Sequence, residues 1–277
     1  MKIGRIGYIN CAPVYGAIDR GVVALPPGGE FVTGTPAELN DQLVAGELDV
    51  SVISAIEYAR HVNELVLLPD LAISCDGPVR SVALFSKRPV TELDGRTVLL
   101  SASSRTSVAL LDLLCRTRWK IKPNFAEARA EAQDLDALAG LPHEAVLVIG
   151  DAALVLAARG TYRHRYDLGE EWKRKTGLPF VFAVWAARRA ADPAAVQRGH
   201  SSLIESRAWG LAHIDDLAAE AARQTGISVA LCHKYLSGLD YGFSHNDRAG
   251  LVAFLMEVAY NGIVPDLHVS ATFMQVA

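Results

Sequence analysis

The sequence predicts an α/β protein of two lobes closing on a ligand cleft, and three observations carry that prediction. The opening residues alternate short apolar strands with helices begun by polar caps, a βαβα start. Composition turns polar at Lys87-Arg88-Pro89-Val90-Thr91-Glu92-Leu93-Asp94-Gly95, a Pro- and Gly-containing piece of the kind that joins domains. After it the alternation restarts, and from Asp192-Pro193 onward the pattern is mostly helical. Crossings near 87–94 and 186–192 make residues 1–87 and 188–277 a discontinuous first lobe, with 88–187 inserted as the second.

Taken in order, Ile3-Gly4-Arg5-Ile6-Gly7-Tyr8-Ile9 suits a buried first strand, and Asn10 follows at once. Pro13 fits the first turn of the next helix, where no backbone donor is required of it. Asn10 is thereby expected at a strand end beside a helix N-terminus, where open α/β sheets place ligands. Its amide donates and accepts without charge, so it either orients a polar substrate or caps the helix. Residues 30–33 form a short strand; Thr35 then caps a helix opened by Pro36, lined by Leu39 and Leu43, and stopped by Gly46. Residues 48–53 read as a buried strand, and Ser54 can cap a short helix carrying Glu57 and Tyr58 or face the cleft. Strand segments follow at 65–68, 71–74 and 79–86.

Beyond the polar piece, residues 97–100 form a strand that ends in Ser101-Ala102-Ser103-Ser104-Arg105-Thr106-Ser107, the mouth of a helix with Val108, Leu111, Leu114 and Cys115 on compatible faces. Hydroxyls there meet backbone amides and a helix dipole that favour an anion. No GxxxxGK pattern is present, so a nucleotide is not expected. Residues 121–125 are a further strand, 132–138 a helix and 144–149 a buried strand. Gly150-Asp151 then opens an Ala- and Leu-rich helix, with Asp151 either capping it or entering the cleft. A polar helix ended by Gly177 leads to a strand at 178–185, and helices are predicted over 193–211, 213–225, 228–237 and 247–261.

With 277 residues, 51% of them hydrophobic, the chain has material for one large core or two smaller ones and is not a disordered segment. A formal charge of −4 without a long basic run argues against nucleic acid as a partner. No 18-residue apolar stretch occurs, so membrane insertion is not expected. Met1-Lys2 leads straight to Arg5 with no apolar signal region, from which a cytoplasmic address is expected. Cys11, Cys75, Cys115 and Cys232 lie too far apart for a metal pair or a disulfide framework. The histidines include no HExxH; His61 is the one closest to a candidate site, and the other seven, through His268, read as surface or capping residues. Oligomeric state is not legible.

Gly7-Tyr8-Ile9-Asn10 with Pro13, Ser54-Ala55-Ile56-Glu57-Tyr58, Ser81-Val82, Ser103 with Arg105-Thr106-Ser107, Gly150-Asp151 and Asp167-Leu168-Gly169-Glu170-Glu171-Trp172 together resemble the chorismate dehydratase family of the futalosine route to menaquinone. The resemblance spans about residues 3–188. It implies a periplasmic-binding-protein-like type II fold, with chorismate as substrate and dehydration to 3-[(1-carboxyvinyl)oxy]benzoate as the reaction. Loss of the C3 proton and the C4 hydroxyl aromatises the ring, so neither a redox cofactor nor a metal is expected. The resemblance points to Asn10 and Ser81 as catalytic residues. Ser54, Ser103, Arg105, Thr106, Ser107 and Asp151 are then the substrate-binding set, with Arg105 also able to form a surface ion pair. The expected proton acceptor is the substrate's own enolpyruvyl carboxylate. A small-anion binding protein and a related enzyme of the same pathway are the competing readings.

Overall fold

The computed structural model describes residues 1–264 together with Leu267, Val269 and Met274; His268 lies outside the described residues. Strand β1 (Lys2–Ile6) stops at Gly7, short of the expected Ile9. The chain turns through Tyr8 into a single 3-10 turn, Ile9–Cys11, that feeds α1 (Ala12–Asp19) with Pro13 in its first turn. Asn10 therefore sits on a turn between strand and helix. Helix α1 is pinned from two sides. Trp185 Nε1–H donates to Tyr15 Oη at 3.1 Å, and a Cβ at Gly210 would lie 2.1 Å from the Pro13 carbonyl oxygen, so only glycine permits that approach.

Strand β2 (Glu30–Gly34) precedes α2 (Pro36–Ala45), which opens with a reciprocal Thr35–Glu38 capping box and closes at Gly46 in the left-handed region. Strand β3 (Val50–Ser54) leads into α3 (Ala55–Arg60), and the two segments expected next are one strand, β4 (Leu65–Cys75), irregular where Asp70 takes φ 58°. Then come β5 (Val82–Ser86), β6 (Thr97–Ser101), α4 (Arg105–Leu114), β7 (Asn124–Ala128), a 3-10 turn at Ala132–Asp134 with α5 (Leu135–Ala139), β8 (Ala145–Ile149), α6 (Gly150–Arg159), β9 (His164–Asp167), α7 (Leu168–Thr176) and β10 (Phe180–Arg188). Helices α8 (Pro193–Ala212), α9 (Ile214–Thr225), α10 (Val229–Leu236) and α11 (His245–Tyr260) follow the predicted order.

Two five-stranded sheets result, ordered β2-β1-β3-β10-β4 and β7-β6-β8-β5-β9. In each, the fourth strand is the one that enters directly after a crossing, and it runs antiparallel to both neighbours. The crossings therefore lie between Cys75 and Val82 and between Asp167 and Phe180, not near 87–94 and 186–192. The polar piece at 87–95 is a turn inside the second lobe. Strand β5, buried at every residue, would satisfy either sheet by pattern alone, so its membership is decided by tertiary pairing.

Asp167 ties the two crossings together. Its carboxylate accepts the N–H groups of Val79 (3.0 Å) and Arg80 (2.7 Å) from the first crossing while capping α7 on the second through Gly169 and Glu170. Around it Trp172, Phe180 and Phe254 pack edge to face, with ring centroids 4.8–5.8 Å apart, and Trp172 Nε1–H donates to the Pro179 carbonyl at 3.0 Å. Among the described residues, no helix is long and apolar enough to cross a membrane.

Candidate active site

A cavity of ≈ 580 Å³, counted out to its open mouth, lies between the lobes. The first lobe contributes Ile6, Tyr8, Asn10, Pro36, Ser54, Ile73, Phe182 and Ala183; the second contributes Val82, Ser104, Ser107, Ile149 and Gly150. Val79 and Ser81 come from the first crossing. Its walls are apolar and its polar groups are uncharged: among the described residues, no Asp, Glu, His, Lys or Arg lines it.

Four of the predicted residues meet there. Asn10 Oδ1 is buried and has no hydrogen-bond partner among the described residues, an arrangement that leaves an acceptor for a ligand to satisfy. Ser81 lies at the crossing, 2% exposed. Ser54 both lines the cavity and caps α3, its Oγ accepting the Glu57 N–H at 3.3 Å, while Asn40 holds its backbone N–H. Ser107 is the fourth; its N–H donates to Ser104 Oγ at 3.2 Å, and Ser104 Oγ–H to Ser107 Oγ at 2.8 Å.

The other four sit on the seam between the lobes, outside the lining. Thr106 Oγ1 accepts the Ile56 N–H from α3 at 3.2 Å. Arg105 pairs with Glu57 at 2.6 Å and with Asp41 at 2.7 Å. Ser103 Oγ–H donates to Glu131 at 2.5 Å. Both carboxyl oxygens of Asp151 accept the Ile9 N–H, at 3.2 and 3.3 Å. Burial pushes the Asp151 carboxyl up to about 7, against the lowering effect of the Ile9 N–H and with a further push from Glu131.

Tyr8, Ser104 and Glu131 were not among the residues singled out from the sequence. The Tyr8 hydroxyl donates to both Glu131 oxygens, at 2.9 and 3.0 Å, and burial together with that carboxylate raises its pKa, which keeps the phenol neutral. Its ring rests on Gly150, at φ 61°, where a Cβ would come within 3.0 Å of two ring carbons. Ser104 was available to a closer reading, since its spacing to Ser107 is that of a helix cap. Glu131 carries no local signal; its partner is 123 residues away in sequence.

Neutral donors gathered at the N-terminus of α4 and on the Asn10 turn suit carboxylates, which bind helix N-termini and oriented amides without a cation. Among the described residues, no cluster of His, Cys, Asp or Glu could hold a metal ion. The fold itself is that of the two-lobed type II periplasmic binding proteins. It is shared with the alkanesulfonate-binding protein SsuA from Xanthomonas axonopodis pv. citri (TM-score 0.69, 15% identity, 97% of this chain and 96% of that one). It is shared too with the periplasmic aliphatic sulphonate binding protein SsuA from Escherichia coli (0.65, 15%, 100% and 94%) and with a protein of Archaeoglobus fulgidus (0.79, 19%, 95% and 98%).

Within that class, the chain belongs to the chorismate dehydratase family of menaquinone biosynthesis. It matches the family model described as menaquinone biosynthesis over residues 1–260. It is 35% identical over 271 residues to the chorismate dehydratase of Thermus thermophilus, covering 91% of this chain and 93% of that protein. To the chorismate dehydratase of Campylobacter jejuni subsp. jejuni it is 30% identical over 187 residues, 66% of each. The fold comparison also corrects the cytoplasmic address expected from the first residues. Proteins of this fold include ones described as periplasmic, so that expectation is withdrawn, and the fold assigns no compartment in its place.

Proposed function

We infer that the protein removes water from chorismate, giving 3-[(1-carboxyvinyl)oxy]benzoate for menaquinone biosynthesis. Family membership supports this reading, and the observation that carries it is the inter-lobe cavity lined by neutral donors, with no charged side chain among the described residues. The reaction asks for that kind of site. A proton leaves C3, its electron pair forms the new ring double bond, and the C4 hydroxyl departs; proton and hydroxyl together make the water. Aromatisation supplies the driving force, so the protein's tasks are orientation of two carboxylates and of the leaving hydroxyl.

In this reading the cavity is the ligand cleft. Asn10 and Ser81 orient the reacting face, and Ser54 and Ser107 hold carboxylate oxygens, with Ser104 fixing Ser107. Ser103, Arg105, Thr106 and Asp151 act through the seam by keeping the lobes together. The base is the substrate's enolpyruvyl carboxylate. Supporting that assignment, the one titratable side chain of the lining among the described residues is Tyr8, a neutral phenol already donating to Glu131.

Incubation with chorismate in metal-chelated buffer tests the reading: chorismate should disappear as the aromatic enol ether appears. Tight binding of unchanged chorismate would instead make this a binding protein. An analogue keeping the ring and C4 hydroxyl but lacking the enolpyruvyl carboxylate should bind and eliminate very slowly; normal turnover of it would remove the substrate-supplied base.

A further inference from the structure

We propose that Asp151 is a positioning residue for the dehydration: from the second lobe its carboxyl holds the Ile9 N–H of the first, and so fixes the turn that presents Asn10. The proposal rests on the dehydratase reading. Ile9 begins the 3-10 turn Ile9–Cys11, so its N–H has no partner within that turn and must find one elsewhere. The acceptor comes from 142 positions along the chain, across the seam, from the first turn of α6. Asn10 is the next residue. Closing the lobes therefore completes the turn, and opening them returns the Ile9 N–H to water and leaves Asn10 held from its α1 side alone.

Asp151 is not among the residues that line the cavity, so it acts on Asn10 and does not touch substrate. The charge state follows from its surroundings. Facing it are Tyr8 and Cys11 from the ends of the turn, Glu131 from the segment before α5, and Cys232 and Tyr235 from α10. None of these is a cation, and Glu131 is a carboxylate. A buried acid so placed ionises reluctantly, near pH 7. A dianionic substrate arriving next to it favours the neutral form further.

The sign is fixed by linkage. Closure raises the carboxyl's pKa above its solvated value, so below about pH 7 closure takes up a proton and becomes harder as pH rises, levelling off once the closed carboxyl ionises too. The neutral acid still accepts the N–H through its carbonyl oxygen.

Three proteins test this: wild type, Asp151→Asn and Asp151→Ala, compared by chorismate KM and kcat between about pH 5 and 8 and by hydrogen exchange of the Ile9 amide. In the wild type, KM should rise with pH by up to roughly tenfold per unit below about pH 7 and level off above it. Asp151→Asn, a permanently neutral acceptor, should lower kcat less than roughly tenfold and flatten the KM profile while keeping the Ile9 amide protected. Asp151→Ala should raise KM roughly tenfold or more at every pH and lose that protection. A wild-type KM profile in Asp151→Asn, or a protected Ile9 amide in Asp151→Ala, overturns the proposal. So does an Asp151→Asn protein inactive at all pH with its amide protected, because the carboxyl would then be acting on substrate. If the wild type does not turn over chorismate, the dehydratase reading fails, and amide exchange alone still decides whether Asp151 holds the turn.

Discussion

The Arg105 guanidinium on the second lobe lies 2.6 Å from the buried Glu57 carboxylate on the first, and the same side chain reaches Asp41 at 2.7 Å. Arg60 and His61 also face Glu57, at 3.7 and 3.1 Å, so removing Arg105 leaves the carboxylate poorly but not wholly uncompensated. Arg105→Ala should therefore cost about 2 kcal/mol, the low end for a broken charge pair, and lower Tm by roughly 5 °C. Because the pair spans the lobes, chorismate KM should rise more than kcat falls. Steady-state kinetics beside a thermal melt would show it; an unchanged KM would leave the pair a stability element only.

Asn10 offers the sharpest test of the site. Asn10→Ala removes an oriented donor worth about 3 kcal/mol in the transition state, roughly a hundredfold in rate. Asn10→Asp loses the same donor and adds a negative charge opposite a dianion, so its chorismate affinity should fall below that of Asn10→Ala. Both should fold, since the Asn10 carbonyl and N–H are untouched. Calorimetric titration, melting and product formation on the same samples would separate the effects, and wild-type turnover in both variants would return Asn10 to a structural role.

Gly150 and Gly160 stand at the two ends of α6 and share a left-handed backbone, at φ 61° and 64°. A Cβ at Gly150 meets the Tyr8 ring at 3.0 Å, whereas at Gly160 it meets nothing within 4 Å. Alanine should cost about 1 kcal/mol of backbone strain at either position. Only Gly150→Ala should displace Tyr8 and lower kcat/KM, by roughly ten- to a hundredfold. Equal kinetics in the two variants would disconnect the Tyr8 ring from catalysis.

His143 sets a pH dependence remote from the cavity. Its Nδ1 lies 2.7 Å from the Leu141 carbonyl, which can only accept, so neutral Nε2 must accept from the Tyr162 hydroxyl at 2.7 Å. Burial lowers its pKa from an ordinary 6.5. Its contribution to stability is therefore present above pH 6.5 and lost as pH falls through the lower folded value. Urea titrations between about pH 5 and 7 should give a shallower rise of stability with pH in His143→Phe than in the wild type.

The sequence was most legible where its instructions are local. Thr35, Pro36 and Gly46 bound their helix because cap, N1 and left-handed positions each select a residue type, and Ser54 caps α3 for the same reason. Asn10, Ser54, Ser81 and Ser107 could be brought to one cavity on paper because strand ends converge in an open sheet. The residues around them divided by geometry that spacing does not encode. One helical step separates Ser107, which lines the cavity, from Thr106, which turns to Ile56 on the other lobe. The Tyr8–Glu131 bond and the sheet membership of β5 depend on partners brought close only by the finished fold.

Strand β10 sits in the middle of the first sheet, between β3 and β4, yet it is made only after the whole second lobe. During synthesis the first lobe therefore waits with two open strand edges, and those edges are apolar: β3 is buried along its entire length in the finished protein. Exposed edges of this kind recruit foreign strands. The order of translation thus leaves β3 and β4 without their shared partner until β10 is made, and slow elongation through residues 82–167 prolongs the period in which those edges can aggregate.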